Sequence, residues 1–260
     1  MLKILLSNDD GVHSPGIHHL ANYLKEIGSV TLVSPESERS ASGLSITMHK
    51  PLRTKKVNFF DDSINAWCIN GTPSDCVKFA IDSLLTETPD LVISGINHGS
   101  NLGTDILYSG TVSAAIEGAI NDVPAIAVSL DTVGKCDFEP YAKLAAKLCK
   151  QLYENNIKKG IVMNINIPYI PIGEIKGVKV TKLGVRRYKN CFIERLDPRG
   201  KSYFWLAGEL DNKDFNNFDT DVGSIYNNYI SVTPITFDLT SYETITKMKK
   251  WNIANINDLQ

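Results

Sequence analysis

Five short apolar runs alternate with stretches whose apolar residues recur at helical spacing, and few architectures accommodate that alternation. Leu2 to Leu6, Val30 to Val33, Leu91 to Ile93, Ala125 to Val128 and Ile161 to Ile167 each have the length of a buried strand. After the first, Ser14-Pro15 reads as a cap with proline in the first turn. Ile17, Leu20, Ala21, Leu24 and Ile27 then share a helical face, with Gly28 as the expected stop. Gly71-Thr72-Pro73-Ser74-Asp75 announces a second helix, Thr72 and Asp75 forming a capping box; Val77, Ala80, Ile81, Leu84 and Leu85 are its apolar face. Small residues from Val112 to Ile120 describe a closely packed third helix, and Tyr141, Leu144, Ala145, Leu148 and Leu152 a long fourth. Strand, helix, strand in repeated order predicts right-handed crossovers, and so a doubly wound, mostly parallel α/β sheet of Rossmann-like class.

The rhythm is interrupted twice. Between Gly43 and Asn70 it is irregular, with Ser45 to Met48 and Ala66 to Ile69 as short strand candidates. After about Pro171 strands follow without helices between them: Gly177 to Leu183, Tyr203 to Leu206 and Tyr229 to Pro234, around a polar span from Asp211 to Asn228. The expected organisation is an α/β catalytic core over residues 1–170 and a strand-rich C-terminal extension over 171–260. The hairpin-like part of that extension is expected to serve oligomerisation or to form a lid, because unpaired strand edges are commonly covered by another chain.

Composition excludes several function classes. A net charge of −2 gives no sign of affinity for nucleic acid or an anionic membrane. Cys68, Cys76, Cys136, Cys149 and Cys191 are odd in number and include no Cys-x-x-Cys pair, which fits a reducing compartment and argues against a thiolate zinc site. The chain opens on a strand with no basic leader, and no run approaches the roughly 18 apolar residues of a membrane span. A soluble, cytoplasmic protein is expected.

The chemistry gathers at strand ends. In an open parallel sheet, ligands bind beyond the carboxyl ends of the strands. The polar loops there are Asn8 to Gly11, Glu36 to Gly43 and Ser94 to Gly103, which bring Asp9, Asp10, Ser40 and Asn97 toward one crevice. Asp-Asp-Gly alone also suits an ordinary polar turn. With Ser40 and Asn97 it becomes an all-oxygen set, suited to magnesium, manganese or calcium rather than zinc or copper. Beside it, Ser109-Gly110-Thr111 opens a helix, where free N–H groups, two hydroxyls and the positive end of the dipole favour an anion; plain capping is the alternative. A hard cation beside a phosphate cradle is the equipment of phosphoryl chemistry.

Ser7-Asn8-Asp9-Asp10-Gly11, Gly71 to Cys76, Ser94-Gly95-Ile96-Asn97 with Asn101, and Tyr108-Ser109-Gly110-Thr111-Val112 together resemble the signatures of the survival protein SurE family. The resemblance runs from Met1 to about Leu130, with weaker echoes in Asn164 to Pro168 and Ser231 to Pro234. It implies a divalent-metal-dependent nucleotidase acting on nucleoside 5′- and 3′-monophosphates. Asp9, Asp10, Ser40 and Asn97 would bind one metal ion per subunit, magnesium or manganese foremost and calcium as an alternative. Asp9 and Asp10 would be catalytic, and Asn101, Ser109, Gly110 and Thr111 would hold phosphate. It also implies a homodimer or homotetramer with the extension exchanged between subunits. One departure is visible: the family often has two acidic residues where this chain has Thr104-Asp105.

Among the remaining polar residues, His18 and His19 fall on the first helix as surface or packing residues. His98 lies in the site loop, either against substrate or as a spectator, and Arg39 is placed either on phosphate or in a surface ion pair. Two other classes fit less well. Aspartyl-phosphate enzymes separate their two aspartates by one residue, whereas these are contiguous. A phospho-accepting receiver module needs an aspartate at the end of the third strand, where Ser94-Gly95 stands.

Overall fold

The computed structural model describes residues 1–58, 63–189, 191–210 and 214–251. In chain order the elements are β1 (Leu2–Ser7), α1 (Pro15–Leu24), β2 (Gly28–Pro35), β3 (Thr54–Val57), β4 (Asn65–Ile69), α2 (Pro73–Phe79), β5 (Leu91–His98), α3 (Gly110–Ile120), β6 (Ala125–Asp131), α4 (Glu139–Glu154) and β7 (Ile161–Pro168). There follow β8 (Val178–Val180), β9 (Tyr188–Lys189), β10 (Phe192–Leu196), β11 (Ser202–Leu206), β12 (Glu209–Leu210), α5 (Asp221–Tyr226), β13 (Ile230–Thr236) and α6 (Tyr242–Met248).

Nine strands form the main sheet in the order β3-β4-β2-β1-β5-β6-β7-β13-β8. From β4 to β7 all neighbours are parallel, and β3 and β13 join their neighbours β4 and β7 antiparallel. Side chains alternate across a strand, so each strand feeds two cores. Ile4 and Leu6 of β1, Leu91 and Ile93 of β5, and Ile126 and Val128 of β6 pack with α1 and α4 on one face. Leu5, Val92, Ala125 and Ala127 pack with α2 and α3 on the other. Near-continuous apolar strands are what burial on both faces requires. α3 lies close on the sheet because Gly118 has no Cβ; one would come within 2.7 Å of the Val92 side chain.

The chain runs outward from β1 to β2 and then returns to place β5 on the other side of β1. That reversal opens a crevice between the β1 and β5 ends, at the topological switch point.

Several local expectations differ from the structure. Ser45 to Met48 forms no strand: Asp75 accepts hydrogen bonds from the Thr47 backbone N–H at 2.9 Å and its hydroxyl at 2.6 Å, and the Thr72 hydroxyl donates to the Ser45 carbonyl at 2.6 Å. The segment is strapped to the start of α2 rather than paired in a ladder. Gly28 begins β2, and α1 ends earlier, with Lys25 as its C-cap. Ser14 occupies the α1 cap position, yet its hydroxyl accepts from the Asn8 side chain instead of the helix. β8 is shorter than Gly177 to Leu183, and β13 is an interior strand of the main sheet between β7 and β8. Of the polar stretch from Asp211, residues 211–213 lie outside the described residues.

Candidate active site

Asn8, fully buried at the end of β1, sets the turn that follows. Its Nδ2 donates to the Gly11 carbonyl at 3.1 Å and the Ser14 hydroxyl at 2.8 Å, and its Oδ1 accepts from the Ser34 hydroxyl. Gly11 completes the bend at φ +94°, a left-handed conformation that glycine adopts without strain. The bend allows Asp9 and Asp10, which an extended strand would point apart, to line one cavity.

Asp9 is only 7% exposed and sits at the start of α3, where the Thr111 hydroxyl and backbone N–H both donate to it. Burial pushes its pKa up to about 6; the Thr111 bond opposes the rise and the neighbouring Asp10 adds to it. Asp10 is also raised by burial. The His98 backbone N–H, 3.1 Å from its Oδ2, works against that, and the charge of Glu38 works with it. Two carboxylates are thus held where their ionised forms are disfavoured unless a positive charge joins them.

The cavity they open onto measures about 870 Å³, within the usual range for small-molecule sites. Ser40, Asn97, Asn101 and Ser109 line it as well. The Asn97 Nδ2 donates to the Gly99 carbonyl at 2.8 Å, which leaves its Oδ1 as a free acceptor. The Ser40 hydroxyl donates to Glu38. Among the described residues no group of three or more His, Cys, Asp or Glu side chains is arranged to hold a metal. The donor set that does converge is two carboxylates, an amide oxygen and a hydroxyl, which fits a hard divalent cation. Glu36, Glu38 and Asp105 are further acids on the cavity wall.

The residues expected to hold phosphate divide into two groups. Asn101 and Ser109 line the cavity, although the Ser109 hydroxyl is also used, accepting the Val112 N–H as the α3 cap. Gly110 and Thr111 lie behind Asp9. A Cβ on Gly110 would come within 2.7 Å of the Asp9 Cβ, and Thr111 is fully buried with its hydroxyl on Asp9. The start of α3 therefore meets the protein's own carboxylate first. Arg39 does not line the cavity, and its Nε is buried with no hydrogen-bond partner among the described residues. His98 does line it, with Nε2 2.5 Å from the Gly134 carbonyl. His18 and His19 lie on α1 with ring centroids 5.7 Å apart. Thr104, at the departure from the family pattern, donates its hydroxyl to the Arg186 carbonyl at 2.7 Å.

A doubly wound, mostly parallel sheet with an acidic, oxygen-lined crevice at its switch point defines the class: a Rossmann-like α/β protein. Residues 4–190 match the family model described as survival protein SurE. The chain is 48% identical to the 5′-nucleotidase SurE of Heliobacterium modesticaldum over 96% of its length and 92% of that protein's. It is 51% identical to the 5′-nucleotidase SurE of Moorella thermoacetica, covering 93% of this chain and 92% of the relative. The crystal structure of the SurE protein from Aquifex aeolicus superimposes with a TM-score of 0.83 at 41% identity, over 95% of this chain and 98% of that one. The chain belongs to the SurE family.

Proposed function

We propose that this protein is a divalent-metal-dependent phosphomonoesterase that hydrolyses nucleoside 5′-monophosphates, and 3′-monophosphates as well, to nucleoside and phosphate. The observation that carries it is the buried Asp9–Asp10 pair, disfavoured as charges and facing a cavity large enough for a nucleotide. The relatives named 5′-nucleotidase support the substrate class.

Asp9, Asp10, the Asn97 Oδ1 and the Ser40 hydroxyl would hold one magnesium or manganese ion. When bound, such an ion supplies Lewis-acid polarisation of the phosphate and lowers the pKa of a water. Asp9 is kept aimed by Thr111, and Asp10 by the His98 N–H. Asn101 and Ser109 face the same cavity and would fix phosphate oxygens, while Gly110 and Thr111 act from behind Asp9. Glu38, which accepts from the Ser40 hydroxyl and whose charge bears on Asp10, would take a proton from the attacking water.

The finer assignments belong to the same reading. The chain divides into a catalytic core over 1–170 and an extension over 171–260, and works in the cytoplasm as a homodimer or homotetramer. In support, all four proposed ligands lie in the core, and no helix among the described residues is long and apolar enough to cross a membrane. The β10–β11 hairpin exposes Phe192, Phe204, Trp205 and Leu206.

Phosphate release from a panel of nucleoside 5′- and 3′-monophosphates tests the proposal, measured after chelation and after separate return of magnesium, manganese, calcium and zinc. Activity abolished by chelator and restored by magnesium or manganese is expected. Undiminished release in chelator would refute the metal requirement, and no release from any nucleotide would refute the substrate class.

A further inference from the structure

β7 carries two asparagines in the middle of the sheet, Asn164 and Asn166, both fully buried. Unbonded amide groups are costly there, and three of the four amide groups are bonded, the Asn164 Oδ1 alone having no partner among the described residues. Both reach the same residue. The Asn166 Oδ1 accepts the Asn101 backbone N–H at 2.8 Å, and its Nδ2 donates to the Asn101 carbonyl at 2.9 Å. Asn164 Nδ2 donates to that same carbonyl at 2.9 Å. From β6, the buried Ser129 places its Oγ 2.8 Å from the Asn101 Nδ2. Ser129 and Asn166 are direct cross-strand partners, and Ser129 is also the partner of Asn97 on β5. One row of the sheet therefore underlies both Asn97 and the backbone and side chain of Asn101.

We propose that Ser129, Asn164 and Asn166 are positioning residues that fix the Asn101 amide for bound phosphate, which presupposes that Asn101 binds phosphate as proposed above. Asn166 grips the backbone as a neighbouring strand would, with one donor and one acceptor. That leaves the two torsions of the Asn101 side chain, χ1 and χ2, restrained by the contact with Ser129. A hydroxyl can accept or donate. In the structure the amide turns its Nδ2 toward β6; phosphate binding would require the amide to turn over, with the Ser129 hydroxyl then donating to Oδ1 and Nδ2 presented to the anion. Preorganisation of this kind lowers the ordering cost of binding. Asn101 is mostly buried yet lines the cavity, so a held amide there lies within reach of a bound anion.

Inorganic phosphate titrated calorimetrically into the metal-loaded protein tests this, alongside kcat and KM for a nucleoside monophosphate. Asn101→Ala is expected to weaken phosphate about tenfold or more, as loss of a hydrogen bond to a charged group does. Ser129→Ala is expected to weaken phosphate about threefold to tenfold and to raise KM more than it lowers kcat, with Ser129→Thr restoring both. In an Asn101→Ala background, Ser129→Ala should have no further effect, because its influence passes through that amide. Asn166→Asp keeps the acceptor and removes the donor and should weaken phosphate similarly; if it fails to fold, Ser129→Ala decides. If Asn101→Ala is impaired while Ser129→Ala and Asn166→Asp bind phosphate as the parent does, the positioning role is overturned and the Asn101 assignment stands. If Asn101→Ala binds phosphate normally, that assignment falls and the clamp with it. A Ser129→Ala protein that loses metal affinity in parallel with phosphate affinity would also overturn it, by marking general disruption of the site.

Discussion

Asp9 at the end of β1 is 7% exposed, whereas Phe192, Trp205 and Leu206 in the β10–β11 hairpin are 69%, 63% and 75% exposed. The first region keeps charge away from water, and the second keeps large apolar side chains in it. Neither arrangement is favourable for the chain alone. In the hairpin the ladder puts Phe192, Leu206 and Phe204 on one face and Ile193 and Trp205 on the other, so no solvent side is evident. A two-stranded hairpin is marginal in isolation. Under the function proposed above each region is half of an interaction, and the proposed other half differs: a cation for the carboxylates, an apolar surface for the hairpin. Residues after 170, which supply β13 and β8 of the main sheet, also touch the earlier loops directly. Asp221 accepts the Gly103 N–H at 2.8 Å and the Gly184 N–H at 2.7 Å, and Arg186 pairs with Asp105 at 3.0 Å. The two proposed halves should therefore be separable only if a cut leaves those contacts intact.

The largest effect is expected from removing charge at the core end of the comparison. Asp9→Asn and Asp10→Asn keep the side-chain shape, so circular dichroism should report an intact fold. Activity with a nucleoside monophosphate should fall by about 100- to 1,000-fold, the range for losing one electrostatic element of a preorganised site. Metal affinity by calorimetric titration should fall with it. Full activity of both variants in the presence of chelator would break the comparison, because the corner would then need no cation.

The hairpin end is tested by a narrow excision. The Ala207 N–H donates to the Cys191 carbonyl at 2.8 Å, so the two ends of the hairpin meet in space. Replacing Phe192–Leu206 with a short glycine bridge removes the exposed aromatic residues and spares Asp221, Gly184 and Arg186. Light scattering should then show a smaller assembly at micromolar protein, while metal affinity of the folded chain stays near that of the parent. An unchanged assembly would refute the role of the hairpin. A folded protein that has lost its metal would show that the two regions are not independent.

The features legible in the sequence were those set by neighbouring residues. The capping box of Thr72 and Asp75 is present with both bonds formed, and the strand-helix alternation produced the doubly wound sheet. Ser45 to Met48 has the alternation of a strand, yet its Ile46 and Met48 are exposed, because a carboxylate 28 residues away holds the backbone. β3, Thr-Lys-Lys-Val, carries little apolar pattern to find, since it is an edge strand held only on its β4 side. At the site, Asp9, Asp10, Ser40 and Asn97 could be gathered because strand ends of a parallel sheet share one rim. The Asn101 clamp could not: Asn164 and Asn166 lie 63 and 65 residues beyond it, and nothing in their own segment says which loop their amides face.

The smallest effect is the pH response of the metal-free protein, and it isolates the burial of Asp9. In the folded chain this carboxyl titrates near pH 6 rather than at 3.8, so between those values the folded state binds more protons than the unfolded one. Stability then falls as pH rises through that window and levels off above it. About two pH units of displacement corresponds to at most about 3 kcal/mol. Other acids contribute their own slopes, so the informative quantity is the difference between parent and Asp9→Asn, whose amide does not titrate. In chelator, urea unfolding from pH 4 to 7 should show the parent losing stability relative to Asp9→Asn, with the gap opening by pH 6 and then holding. Magnesium should close the gap at the upper end, because a cation favours the ionised form that burial penalises. Parallel curves for the two proteins in chelator would mean that Asp9 ionises without difficulty, and that the corner does not call for a positive charge.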